Sequence, residues 1–115
     1  MSNRGIGPSL KDILEAIDRI QRYVGAMTLA DFIANTEKQD AVVRNLEIIG
    51  EAVRNIPPEF RKQHKEIEWS QIAGFRDRLI HQYFGVNWVI LWDVVKNRLP
   101  ELKERVEYLL RMESR

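Results

Sequence analysis

The chain has 115 residues, the size of one ordinary domain, and folding at that length takes roughly two-thirds of the unfolded surface out of water. Hydrophobic residues make up 44% and charged residues 30%, which excludes the composition of a disordered segment and predicts one folded domain over 1–115. Lys plus Arg number 18 against 17 Asp plus Glu, a formal charge of +1, so no global field draws the chain to nucleic acid or anionic lipid and any nucleic-acid site has to be local.

The absence of cysteine excludes disulfides, thiolate zinc sites and a Cys nucleophile, and it fits a reducing cytoplasm. The longest apolar run in the middle of the chain, Trp88 to Trp92, is far short of the ~20 residues a membrane helix needs. The opening Met1-Ser2-Asn3-Arg4-Gly5 lacks the apolar stretch of a secretory signal, which gives the expectation of a cytoplasmic protein. With two histidines, a metal site would draw most of its ligands from carboxylates.

Leu10, Ile13, Leu14, Ile17, Ile20 and Val24 recur at spacings of three and four, drawing one apolar stripe along a helix predicted from about Leu10 to Val24. Ser9 and Asp12 are positioned as its capping pair and Gly25 as its stop. Thr28 with Asp31 predicts a short helical turn through Ala34. Thr36 with Gln39 then reads as a capping box for a second long helix carrying Val42, Val43, Leu46, Ile49, Ala52, Val53 and Ile56. Pro57-Pro58 ends it, because proline has no donor and clashes with the preceding turn; one further turn can begin at Pro58.

A third helix is predicted from Trp69 to Phe84, stopped by Gly85, and it carries Arg76, Asp77, Arg78 and His81. Residues 86–95 are rich in β-branched and aromatic side chains that also suit a strand. The shared face of Trp88, Leu91, Trp92, Val95 and Leu99, with Asn87 as cap, favours a helix. Pro100 is expected to kink or break that helix before a last amphipathic segment through Leu110. The fold class is therefore all-α, an antiparallel bundle of four to five helices with a kinked C-terminal helix.

The densest group of functional side chains is Arg76-Asp77-Arg78-Leu79-Ile80-His81-Gln82-Tyr83. At ~100° per residue Arg76 and Tyr83 lie nearly above one another on a helix, while His81 is ~140° round from Arg76. Two routes bring them together: Arg76 curling toward the helix end, or a second copy of the chain lining one cleft. Phosphodiester cleavage needs a proton acceptor or donor near neutral pH, which histidine supplies, and a fixed cation for the phosphate, which the forked guanidinium supplies. RNA brings its own nucleophile, the 2′-hydroxyl. The plainer reading is a solvated ion-pair face with His81 closing the helix.

The strings AVVRNLEIIGEAVRNIP and GFRDRLIHQYFGVNWVILWDVV tip that balance, because together they resemble the HEPN superfamily and within it the HepT group of prokaryotic toxins. The group's R-x4-H-x-Y signature is met by Arg76, His81 and Tyr83, with Asp77 as the polar residue after the Arg, and the likeness runs from about Ser9 to Leu110. It implies a homodimeric, metal-independent endoribonuclease without a cofactor, the toxin of a type VII-like toxin and antitoxin pair, with no membrane partner. His81 would be the acid or base, Arg76 would hold the scissile phosphate, and Asp77 would orient one of them. A minimal nucleotidyltransferase antitoxin would neutralise the enzyme by transferring AMP to Tyr83. The alternative is a non-catalytic HEPN module that holds a nucleotide or docks a nucleotidyltransferase.

Further residues stand beside this core. Arg61, Lys62 and Lys65, with His64, make a small basic patch that either contacts RNA backbone or is a solvated loop. Arg78 has the same two readings, RNA contact or surface ion pair. Gly50 is read as a close helix approach, Asn45 and Glu51 as polar neighbours of the cleft, and Trp69, Trp88 and Trp92 as core or interface aromatics.

Overall fold

A computed structural model describes residues 6–81 and 86–113, the side chains of Ile80 and His81 excepted. Three long helices, α1 (Ile6–Val24), α3 (Thr36–Arg54) and α5 (Trp69–His81), are joined by the short α2 (Leu29–Ile33) and α4 (Pro58–Gln63). A fourth long helical rod follows, made of α6 (Trp88–Asp93), a π-helical turn (Val94–Arg98) and α7 (Leu99–Glu113). The described residues contain no strand, and the all-α bundle expected from the periodicity is what forms.

The centre of the bundle is α1. Its stripe of Leu10, Ile13, Ile17 and Ile20 is fully buried, covered on one side by α3 and on the other by α7. Each such side chain contributes roughly 1.5–3 kcal/mol by leaving water. The next layer is α5, which packs on the other flank of α3 through buried Leu79 and half-buried Ile72 and Ala73. At the near end Phe32 of α2 is fully buried against the rings of Trp88 and Trp92, with centroids 5.8 and 5.1 Å away. Trp69 is buried beside Phe60, and its indole N–H donates to the His64 carbonyl at 2.9 Å. Trp69 is thus a core residue, while Trp88 and Trp92 are half-buried and pack against that core.

Several helix ends differ from expectation. Ser9 does not cap α1: the helix already runs from Ile6, and Ser9 is a buried position within it. Pro8 permits this, since the N–H groups of a first turn have no intrahelical partner to lose. Thr28 caps α2 as expected, its hydroxyl accepting from the Asp31 N–H while the Asp31 carboxylate accepts from the Thr28 N–H. Thr36 and Gln39 do not form the predicted box, because Asn35 is the cap of α3 and accepts from the Lys38 N–H at 3.0 Å. Gln39 turns instead into the core and donates to the Phe32 and Ile33 carbonyls at 3.1 and 2.9 Å, closing the end of α2.

The proline positions are informative in opposite ways. Pro58 opens α4 at its first position and Asn87 caps α6, as the sequence predicts. Pro100 neither breaks nor begins a helix; it sits at the second residue of α7, and the distortion it requires lies just upstream. In the π-helical turn the Leu99 N–H bonds back five residues to the Val94 carbonyl. One extra residue in that turn makes room for a ring that would clash with the carbonyl four residues earlier. The predicted stop at Gly85 lies outside the described residues.

Candidate active site

The site is built on the contact between α3 and α5. Gly50 lies on the buried face of α3, and Arg76 of α5 is laid directly across it. A Cβ built on Gly50 would stand 2.5 Å from the Arg76 Cγ and closer still to its Cβ, so only glycine lets the two helices approach this far. The loss of helix propensity at Gly50, ~1 kcal/mol relative to Ala, is offset by that contact.

From this seat the Arg76 side chain runs along α3. Its Nη2 lies 3.0 Å from Glu51 Oε1 and its Nη1 3.2 Å from Asp77 Oδ1. Asp77 in turn accepts from Arg54 through both carboxylate oxygens, at 2.6 and 2.5 Å. The result is a chain of alternating charge, Glu51–Arg76–Asp77–Arg54, that ties two turns of α3 to one of α5. Arg76 is mostly covered, its side chain 24% exposed, and its Nε is sealed from solvent without a hydrogen-bond partner among the described residues.

The electrostatics of Asp77 follow from its partners. Partial desolvation of its carboxyl acts to raise the pKa, but the hydrogen bond from Arg76, then the charge and hydrogen bond of Arg54, outweigh it and hold the group below the usual carboxylate value. Asp77 therefore stays ionised through the neutral range, and a guanidinium fixed between two carboxylates is held in one orientation.

The remaining expected residues divide clearly. Glu51 is a partner of Arg76, as its place beside Gly50 suggests. Asn45 is buried in α3 with its amide donating to the Ala41 carbonyl at 2.9 Å, away from the arginine cluster. Arg78 is exposed on another flank of α5, its guanidinium 5.9 Å from the centroid of Phe75, and faces the rod formed by α6 and α7. Arg61, Lys62 and Lys65 gather beyond the opposite, N-terminal end of α5. The backbone of His81 closes α5 as described, whereas its side chain and the whole of Tyr83 lie outside the described residues.

Sequence reasoning missed Arg54. The signal was present, since Gly50, Glu51 and Arg54 are spaced to share one face of α3, and a glycine with two opposite charges on that face marks a helix that receives a charged neighbour. Among the described residues no group of three or more His, Asp or Glu is arranged to hold a metal ion. No described helix is long and apolar enough to cross a membrane.

Comparison with known proteins finds relatives over most of the chain. The chain is 43% identical over 107 residues, 93% of its length and 96% of the relative's, to "Putative RNase TTE0752" of Caldanaerobacter subterraneus subsp. tengcongensis. It is 47% identical over 100 residues, 87% of its length and 91% of the relative's, to "Probable ribonuclease HepT" of Thermococcus cleftensis. No solved structure matches it significantly. The profile of the family described as "Ribonuclease HepT-like" spans residues 13–109, from the core of α1 to the buried end of α7, and the chain belongs to that family.

Proposed function

We propose that the chain is a metal-independent endoribonuclease whose catalytic groups are Arg76 and His81. The observation that carries this reading is the seat of Arg76 on Gly50: a guanidinium clamped by Glu51 and Asp77, five residues before the one histidine of α5. Family membership supplies the substrate class, RNA. In the reaction, the RNA 2′-hydroxyl attacks the adjacent phosphorus and the 5′-oxygen of the next nucleotide leaves. His81 takes the proton from the nucleophile or returns one to the leaving oxygen, and Arg76 stabilises the charge that grows on the non-bridging oxygens. The products are a 2′,3′-cyclic phosphate and a 5′-hydroxyl. Asp77 is a positioning residue that holds Arg76.

A homodimer places two such helices across one cleft, and the R-x4-H-x-Y spacing supports that arrangement. The same spacing supports control through Tyr83. AMP transferred from ATP to its hydroxyl by a partner nucleotidyltransferase adds a bulky anion beside His81, in the space and on the cation meant for substrate phosphate. In this reading the chain is the toxin of a toxin and antitoxin pair.

The test is incubation of the purified protein with bulk cellular RNA in excess chelator, followed by analysis of the RNA ends. Cyclic phosphate and 5′-hydroxyl ends are the expected result. Intact RNA from protein whose Tyr83 is shown by mass to be unmodified would turn the assignment to a nucleotide-binding or nucleotidyltransferase-docking module.

A further inference from the structure

The basic residues that follow Pro58 stand apart from the arginine cluster and line a pocket of their own. Arg61, Lys62 and Lys65 form one wall, and Ser70 and Gln71, in the first turn of α5, form another, around a space of about 540 Å³. Lys62 and Lys65 are exposed, and Arg61 is half-buried with its Nε sealed from solvent. The carboxylate on the pocket wall, Glu68, is held by Arg98 at 3.6 Å, and nearby Glu66 faces His64 Nδ1 at 3.7 Å. Three cations thus line one concave surface with a single carboxylate, Glu68, which is shared with Arg98.

The position of the pocket relative to Arg76 gives it meaning. At ~100° per residue, Ser70, Gly74, Asp77 and position 81 fall within ~60° of one another on α5, so one stripe leads from the pocket to Asp77, which holds Arg76 from a neighbouring flank ~120° round from Ser70. The rise from Ser70 to Arg76 is ~9 Å. Midway along it a Cβ on Gly74 would meet nothing within 4 Å, so the track is open.

We infer that the Arg61, Lys62 and Lys65 pocket holds a backbone phosphate of the same RNA strand whose scissile phosphate lies at Arg76. The inference rests on the ribonuclease reading above. Lysines are compact, mobile point charges suited to a phosphate contact that positions a strand without reading its bases.

The test uses the full-length chain and 2′-O-methyl oligouridines, which lack the nucleophile and survive the measurement. Affinity of a 12-mer is measured across a salt series for the parent, for Lys62→Ala/Lys65→Ala, and for Lys62→Arg/Lys65→Arg. The alanine pair should lower the magnitude of the salt slope by about 0.7, the value of one phosphate contact on a single strand, while the arginine pair keeps it. A dimer of uridine, too short to span the track, should bind all three equally. An unchanged slope for a 12-mer that the parent binds would overturn the pocket and leave the enzyme assignment standing. If the parent neither binds the 12-mer nor cleaves bulk RNA, the ribonuclease reading and the pocket fall together. If the alanine pair changes the oligomeric state in sedimentation instead of the salt slope, the patch is a protein contact and the inference is wrong.

Discussion

Arg76 rests on Gly50 at a distance that no side chain larger than hydrogen permits. The arginine proposed to act on RNA is thus also the residue that sets the spacing of α3 and α5.

A pair of alanine substitutions separates the two kinds of glycine. Gly50→Ala drives a methyl group into the base of Arg76, and overpacking of ~1–3 kcal/mol outweighs the helix-propensity gain of ~1 kcal/mol. Gly74→Ala meets open space and keeps that gain, ~0.5–1 kcal/mol. Thermal unfolding should therefore show the first variant melting below the parent and the second at or above it. The reverse order would mean that α3 and α5 are not in this contact.

The charge chain carries a pH signature. The folded state holds the Asp77 pKa below its ordinary value, so folding favours the ionised carboxylate. Its contribution is complete above the unfolded pKa, near 3.8, and is lost as pH falls through the lower folded value. Asp77→Asn should melt below the parent at pH 7, with the gap closing only in strong acid and staying constant between pH 5 and 8. Cleavage by the variant should fall about 10- to 100-fold, the scale of a misplaced catalytic group. A gap that closes near pH 6 would assign the effect to another group.

How much was legible in advance is best seen at particular residues. The four long helices and the Asn87 and Thr28 caps follow from periodicity and cap chemistry, which are local. Gly50 and Glu51 were readable because a glycine in a helix interior needs a reason. Gln39 was misassigned because its partners, the Phe32 and Ile33 carbonyls, belong to another helix end that folds back onto it. The distortion expected at Pro100 was legible but not its place, because the cost of a helix-interior proline is met one turn upstream by a π-helical turn. Arg54 was overlooked because its partner Asp77 is distant in sequence.

The Gln39 assignment is itself testable. Gln39→Ala strips a buried amide from two carbonyls and should cost about 1–2 kcal/mol, whereas Thr36→Ala, an exposed position that caps nothing, should stay within about 0.5 kcal/mol of the parent. Chemical denaturation of both variants gives the comparison. Equal losses would restore the capping box at Thr36.

Control through Tyr83 predicts a mass change. Incubation with ATP and a cognate nucleotidyltransferase should add AMP to the parent and silence its ribonuclease activity, and Tyr83→Phe should escape both. Addition of AMP to the phenylalanine variant would place the modification elsewhere.

The central claim, that Arg76 and His81 cleave RNA, is tested most directly by Arg76→Lys and His81→Ala assayed beside the parent on bulk RNA in chelator. Circular dichroism of each protein verifies the fold. Lysine keeps the charge but not the fork that reaches Glu51, Asp77 and a phosphate together, so Arg76→Lys should lose about 100-fold or more in cleavage rate, and His81→Ala should lose cleavage altogether. Parent-like cleavage by either folded variant would contradict the assignment.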